Sequence, residues 1–425
     1  MKESGIEWVG LIPDIWNVIP NKYVMHKEKN LCEKWTGEDV MSLTMNGVIV
    51  RDLQNPTGKM PATFDGYQFI KDGDLLMCLF DIDVTPRCVG KVTHDGVTSP
   101  AYSNFKVHDN ASRDYFYYYY LMMDNTKELL HLAKNLRHSF TEEQLGQLKV
   151  PLPPLSEQQA IANYLDKTCS KIDEIIAEVK ASIAEYENLR QSIIYEIMTK
   201  GLDKNVQMKD SGVEWIGKIP LHWMIGKVKY GTTKIGSGKT PKGGAEVYTT
   251  SGVMFLRSQN IYNDGLRLDN PYYISEEIDE EMKNTRVQKD DVLLNITGGS
   301  IGRCCIFDGS VSNANVNQHV CIIRVDPVVF LPEYMHLFWI SPIGQISIKS
   351  YQTGGNREGM SAEAIKNTPI PIIPITEQKK IVDVIKPKID YFNSLIAEKR
   401  FLINDLESYK KSLIYEVVTG KRRVV

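Results

Sequence analysis

The stretch Gly236-Ser237-Gly238-Lys239-Thr240 has the residue types of a phosphate-cradling loop. Asn270-Pro271-Tyr272-Tyr273 resembles the Asn-Pro-Pro-Tyr tetrapeptide that grips the exocyclic amine of a flipped base. Spacing defeats both. A P-loop needs glycine where Thr233 stands, and a buried strand before it, whereas the preceding residues are the lysine-rich Lys227-Val-Lys-Tyr-Gly-Thr-Thr-Lys234. The tetrapeptide lacks its second proline, no glycine-rich strand–turn–helix accompanies it to hold a methyl donor, and Asn-Pro reads as a turn. The histidines are scattered, and none pairs with Cys or His at metal-ligand spacing. No Ser/His/Asp pattern, nucleophile elbow or nuclease-like carboxylate cluster stands out, so the sequence predicts no catalytic and no metal residues.

A binding chemistry fits the same residues better. Between Glu214 and Glu246 no acid intervenes, while Lys218, Lys227, Lys229, Lys234, Lys239 and Lys242 do, interleaved with hydroxyls such as Ser237 and Thr240. Lysines with hydroxyls and exposed glycine amides are a phosphate-contacting set, the plainer alternative being a solvated basic loop. Arg257-Ser258-Gln259-Asn260 follows one expected strand, and Asn295-Ile296-Thr297-Gly298-Gly299-Ser300-Ile301-Gly302-Arg303 follows another. Arg, Gln and Asn are the side chains that bond base edges bidentately. Asn356 and Arg357 lead into a helix capped by Ser361, a placement suited to a phosphate. Arg137 holds the matching place before the capping box Thr141-x-x-Gln144. The run Tyr115–Tyr120 offers base-stacking rings, but reads as a helix packed into a core.

These residues sit on a chain that repeats itself. MKESGIEWVGLIPDIW at 1–16 returns at 208–223 as MKDSGVEWIGKIPLHW, with ten of sixteen positions identical. Pro151-Leu-Pro-Pro-Leu-Ser-Glu-Gln158 returns as Pro371-Ile-Ile-Pro-Ile-Thr-Glu-Gln378. Two copies are too few for a solenoid and predict one pseudo-twofold molecule. After each proline stretch, Ser156 or Thr376 is placed at a helix N-cap, with Gln159 completing a box in the first copy. Apolar residues then recur at 3-4 spacing: Ile161, Leu165, Ile172, Ile175, Val179, Ile183, Tyr186, Ile193 and Ile197, and Ile381, Ile385, Phe392, Leu395, Ile403, Leu406, Leu413 and Val417. That periodicity predicts two long helices packed antiparallel as a coiled coil, closed by Gly201 and Gly420. From Ser156 to Lys200 the first would reach about 67 Å.

The expected fold class is α+β: two mixed α/β globules, 1–150 and 208–368, separated by helical spacers at 151–207 and 369–425. Short strands at Leu75–Phe80, Val253–Leu256, Val292–Ile296 and Val320–Val325 alternate with turns, and helices are expected at Tyr115–Met123, Thr141–Leu148, Glu333–Ile340 and Ser361–Ile365. At 425 residues, 42% apolar and 24% charged, the chain is an ordinary globular protein, which excludes wholesale disorder and a rod. No apolar run approaches a membrane span, and the Met1–Gly5 start lacks the apolar core of a signal peptide. Seven cysteines with no Cys-x-x-Cys read as reduced thiols of a cytoplasmic protein. The net charge of −3 argues against nucleic acid until the charge is mapped. Residues 369–425 carry 11 basic and 7 acidic groups, and the 215–245 stretch carries lysines and no acids.

Variable module, PLPPLSEQ-type helix, second variable module opening SGVEWIGKIP, and IPITEQ-type helix together resemble the specificity (S) subunit of type I restriction–modification systems. The likeness covers essentially the whole chain and rests on Pro151–Gln158, Pro371–Gln378, the two Glu-Trp-(Val/Ile)-Gly-x-Ile-Pro openings, Gly236–Pro241 and Asp291–Arg303. It implies two target-recognition domains, each reading half of an asymmetric bipartite site on double-stranded DNA, with an unread spacer between. It further implies helical regions that bind two modification (M) subunits. The S chain would hold no cofactor: M subunits bind S-adenosylmethionine and methylate adenine, and restriction (R) subunits use ATP and Mg. The first module departs from the pattern in lacking the Gly236–Pro241 loop. Its expected DNA residues are therefore Arg51, Arg87, Lys91, Tyr102, Asn104, Arg137 and His138. An autonomous methyltransferase or NTPase and a coiled-coil adaptor without DNA affinity are the alternatives.

Overall fold

In the computed structural model the described residues are 1–56, 60–85, 87–133, 138–351 and 359–424. The chain divides into two compact units, Met1–Lys180 with Arg400–Val425, and Ala181–Lys399. Each combines α and β elements.

The first unit holds an antiparallel sheet in the order Val89–Lys91, Leu75–Met77, Ser103–Val107, Met25–Lys27. A second, five-stranded sheet contains one parallel pair, Gly96–Thr98 with Val40–Thr44. Asn17–Pro20 pairs with Lys149–Leu152, tying the repeated opening to the proline stretch before the central helix. The second unit repeats this plan. Thr232–Ser237, Val320–Val325, Val292–Asn295 and Cys304–Ile306 form the four-stranded sheet. Val253–Leu256 and Ala314–Val316 supply the parallel pair, and Met224–Lys227 pairs with Pro369–Ile372.

The repeated sequence motifs hold this frame together. Trp16 and Trp223 are fully buried, and each indole N–H donates 3.0 Å to the glutamate of its Ser/Thr-Glu-Gln stretch, Glu157 or Glu377. The next glutamine is buried in both copies. Gln158 donates to the Pro153 carbonyl and accepts from the Ser112 amide; Gln378 donates to the Val329 and Ile373 carbonyls and accepts from the Leu331 amide. A buried amide satisfied on both sides fixes how the helix start meets the globule, because losing a partner leaves an uncompensated polar group. These glutamines explain the repeat better than capping does. The long helices run Leu155–Lys200 and Ile375–Val418, so Ser156 and Thr376 lie inside the first turn and are not N-caps as expected. Thr141 and Ser361 do cap their helices, Thr141 within a complete box.

Within the first unit the long helices pack antiparallel, with Asp173 and Lys410 paired at 2.6 Å. The buried face carries Leu165, Cys169, Ile172, Ile176 and Val179. Ile175, placed on the seam from the sequence, is 44% exposed; Ile176 takes its place, because Cys169 counts as a small apolar residue in the stripe. Within the second unit Arg190 bonds Asn393 and Tyr186 packs against Phe392, again antiparallel to the Gly201–Glu377 approach. Gly201 and Gly420 end the helices at φ of +72° and +73°. A side chain on Gly420 would also strike Pro13, 2.4 Å away. The aromatic run Tyr115–Tyr120 is core: Tyr115, Phe116, Tyr119 and Tyr120 are fully buried, and the Tyr115 hydroxyl donates to the Val418 carbonyl at 2.9 Å.

Candidate nucleic-acid interface

Register places the second unit's polar loops at one edge. Ser237 lies opposite Cys321, Asn295 opposite Val320, and Leu294 opposite Cys304, so the four-stranded sheet ends there. The parallel pair ends at the same place, since the Asn317 amide donates to the Leu256 carbonyl. Loops 238–242, 257–260, 297–303 and 317–319 therefore converge on one rim.

Gly238 explains the glycine-rich stretch without a nucleotide. Its α-carbon passes so close to the strand end that a side chain would stand 1.9 Å from the Val316 carbonyl oxygen. The Gly238 and Lys239 amides donate to the carbonyls of Val320 and Val316, so they are structural and not open to phosphate as the sequence suggested. Ser237, Lys239, Thr240 and Lys242 are exposed. Lys234 is half-buried on the edge strand opposite Arg324; burial and that guanidinium lower its pKa. The Thr240 hydroxyl donates to Gln318 Oε1 at 2.5 Å, Gln318 Nε2 lies 2.9 Å from His319 Nε2, and His319 Nδ1 lies 2.5 Å from Thr297 Oγ1. Three loops are thus joined by one chain of hydrogen bonds.

The other expected residues divide. Gln259 is exposed on the rim. Arg257 lays its guanidinium over Tyr272 at 3.4 Å, and Arg303 lies over Tyr262 at 4.6 Å, with Arg267 near the same ring at 5.1 Å. Stacking of this kind fixes an arginine's plane while leaving donors available. Asn295 is wholly buried, donating to the Ser258 carbonyl and to Ser300 Oγ, and Asn260 is buried, donating to the Arg267 carbonyl. Both hold turns and neither reaches outward, which corrects their expected base contact. Asn356 and Arg357 lie outside the described residues.

The first unit's residues are mostly committed to the fold. Asn104 is buried and donates to Asp74 at 2.8 Å. Lys91 pairs with Asp166 at 3.0 Å and Asp114 at 3.3 Å, and Arg87 stands 3.8 Å from Asp124. Lys91 and Arg87 line a cleft of about 930 Å³ against the long helices, with Lys410 and Lys411 opposite. Tyr102 is half-buried, packing toward Met41, Ile70 and Leu76, and burial raises its phenol. His138 has φ of +44° and a buried Nδ1, while its carbonyl accepts from the Ile82 amide. Arg51 follows the edge strand Gly47–Val50, its amide bonded to the Val40 carbonyl. Arg137 lies outside the described residues. Asn104 is therefore spent within the fold, whereas Lys91 faces the same cleft as Arg87 while ion-paired.

Sequence reasoning missed Gln318, His319, Tyr262, Tyr272 and Arg267. The signal was present in the polar run Asn313-Ala-Asn-Val-Asn-Gln-His319, whose alternation marks a short strand ending in a polar tip. Among the described residues no group of three or more His, Cys, Asp or Glu could hold a metal, and no helix is long and apolar enough to cross a membrane. All seven cysteines are buried and unpaired, and burial pushes the Cys169 thiol up to about 11 and Cys321 to about 12.

A frame built twice with different loops is the construction of a duplicated recognition protein. The chain belongs to the family of the type I restriction modification DNA specificity domain, whose profile matches residues 87–185 and 225–404. It is 24% identical over 279 residues to the specificity subunit of the type I restriction enzyme EcoBI of Escherichia coli, covering 64% of this chain and 58% of that one. It is 24% identical over 282 residues to the type I restriction enzyme MjaVIII specificity subunit of Methanocaldococcus jannaschii, covering 65% and 63%. The chain thus spans about six tenths of the length of these relatives. A solved structure described under complex assembly and conformational transition of the type I R-M system aligns at TM-score 0.70 and 13% identity, covering 97% of this chain and all of that one. This likeness speaks to the fold.

Proposed function

We propose that the chain is the DNA-reading subunit of a type I restriction–modification complex. In this reading it recognises a bipartite, asymmetric double-stranded site, one unit per half-site. The convergence of exposed Ser237, Lys239, Thr240, Lys242 and Gln259 with the stacked Arg257 and Arg303 on one rim carries it, because it sets phosphate-binding and base-reading groups side by side. Residues 1–150 and 208–368 act as the target-recognition domains, and 151–207 and 369–425 as helical spacers that bind two M subunits. Catalysis belongs to the partners: M subunits bring S-adenosylmethionine and methylate adenine, and R subunits bring ATP and Mg. The chain works in the cytoplasm, off the membrane. In the first unit, Arg51, Arg87, Tyr102 and His138, with Arg137, are the residues left to reach DNA, as Asn356 and Arg357 are in the second.

Adenine-methylation sequencing of a host expressing the chain with its M partner tests this. The expected result is a two-part motif, and removing whole heptads from both long helices together should shorten the spacer by about 10 Å, roughly three base pairs, per heptad, with both half-sites retained. Methylation without a two-part motif, or a spacer indifferent to helix length, would sink the proposal.

A further inference from the structure

Gln318 was not among the residues expected to read DNA, yet it is exposed at the centre of the rim. A glutamine amide has two acceptor sites on oxygen and two N–H donors. The Thr240 hydroxyl donates to Oε1 at 2.5 Å and occupies one acceptor site. The amide nitrogen faces His319 Nε2 at 2.9 Å; an NH₂ group only donates, so His319 Nε2 accepts and the ring proton sits on Nδ1. That proton is directed at Thr297 Oγ1, 2.5 Å away. His319 is fixed in turn by its own backbone, its amide donating to Asn317 Oδ1 and its carbonyl accepting from the Ile296 amide. The Thr240 bond thus sets the direction of the whole chain, and the amide reverses only if Thr240 turns to accept and the His319 tautomer changes with it.

Held at both ends, Gln318 keeps one acceptor site and one N–H without a partner among the described residues. One acceptor beside one donor is what adenine's major-groove edge requires, the N6 amine donating and N7 accepting. An acceptor-only guanine edge, or the lone N4 donor of cytosine, uses half of it. We infer that Gln318 is the adenine-reading residue of the second unit, with Thr240, His319 and Thr297 as positioning residues. A free glutamine would lose rotamer entropy on binding; clamped, it is ordered in advance, with one acceptor and one donor left over in either sense of the chain. This inference rests on the DNA-reading proposal above and names a base within it.

The test is methylation sequencing of hosts carrying the full chain with its M partner. Wild type is compared with Gln318→Ala, Gln318→Glu and Thr240→Val. Gln318 is exposed, so Gln318→Ala should leave thermal unfolding unchanged while discrimination falls about tenfold or more at a single adenine of one half-site. The other half-site should be untouched. Gln318→Glu, acceptor-only, should shift that position toward cytosine, whose N4 donates. Thr240→Val should relax the same position less, because it frees the amide without removing it. An unchanged motif in Gln318→Ala, relaxation at a base other than adenine, or an equal loss across all sequences would each overturn the assignment while leaving the DNA-reading proposal standing. A wild-type chain giving methylation without any two-part motif would overturn the parent proposal instead.

Discussion

Asp74 and Asp291 occupy the same place in the two units, one residue before the matching strands Leu75–Met77 and Val292–Asn295, and both are buried. Each carboxylate accepts from the backbone amide three residues earlier, Lys71 at 3.0 Å or Gln288 at 2.7 Å. The second partner differs. Asp74 takes the neutral amide of Asn104, whereas Asp291 takes a two-bond contact from the Arg324 guanidinium at 2.7 and 2.8 Å. The frame is thus held constant by backbone chemistry while the side chains around it are free to change. In the first unit that freedom has drawn Asn104 and Lys91 into internal bonds. In the second it has left the rim's lysines, Gln259 and Gln318 facing outward.

The sharpest way to break the comparison is to remove the differing partners. Arg324→Ala should cost about 3–5 kcal/mol, because it strands a buried carboxylate. Asn104→Ala should cost roughly 1–3 kcal/mol, the penalty of one lost bond to a buried group. Urea unfolding, with hydrogen exchange localising the loss to each unit, measures both; equal costs would mean that the two partners are interchangeable. Gln158→Ala and Gln378→Ala, by contrast, should each destabilise by about 1–3 kcal/mol and to a similar degree. A clear inequality between them would show that the repeated motif does different work in the two halves.

Smaller effects sharpen the contrast at the rim. Replacing Lys239 and Lys242 by Ala should weaken binding to all sequences and flatten the log-affinity against log-salt slope by about 0.9 per lysine. Lys91→Ala should leave that slope unchanged, since its ammonium is held by Asp166 and Asp114. The smallest effect concerns His336, whose Nε2 lies 3.0 Å from the Cys304 carbonyl and whose pKa burial lowers from 6.5. Below that value the unfolded chain binds a proton that the folded chain does not. Stability of the second unit should therefore fall as pH drops from about 6.5 toward the folded-state pKa, by at most about 1.4 kcal/mol per pH unit. His336→Gln should flatten that part of a denaturation-against-pH curve; an unchanged curve would assign the acid sensitivity elsewhere.

The repeat, the long helices, the core role of Tyr115–Tyr120 and the α+β character were legible because each leaves a local signature in residue type and period. The strands Val253–Leu256 and Val320–Val325 are observed with the bounds read from the sequence. The helix starts were misplaced by two residues, since Ser156 and Thr376 look like caps. The rim was only half legible. Lys239 and Gln259 could be named from composition, but whether an asparagine faces a base or a backbone carbonyl depends on partners distant in sequence: Asn295 meets Ser258, and Asn104 meets Asp74. Gln318 escaped for the same reason, as its value lies in Thr240, 78 residues away.

The division of the chain has a consequence for synthesis. Ala181–Lys399 is one uninterrupted stretch, whereas the first unit needs Arg400–Val425 to supply the Val418 carbonyl that Tyr115 binds and the Gly420 turn beside Pro13. As the chain leaves the ribosome, the unit begun first is completed last, and the unit begun second can close before it. During that interval Tyr115 and Trp16 wait without their final neighbours, so a stalled or trimmed product would retain a finished second unit and an unfinished first one.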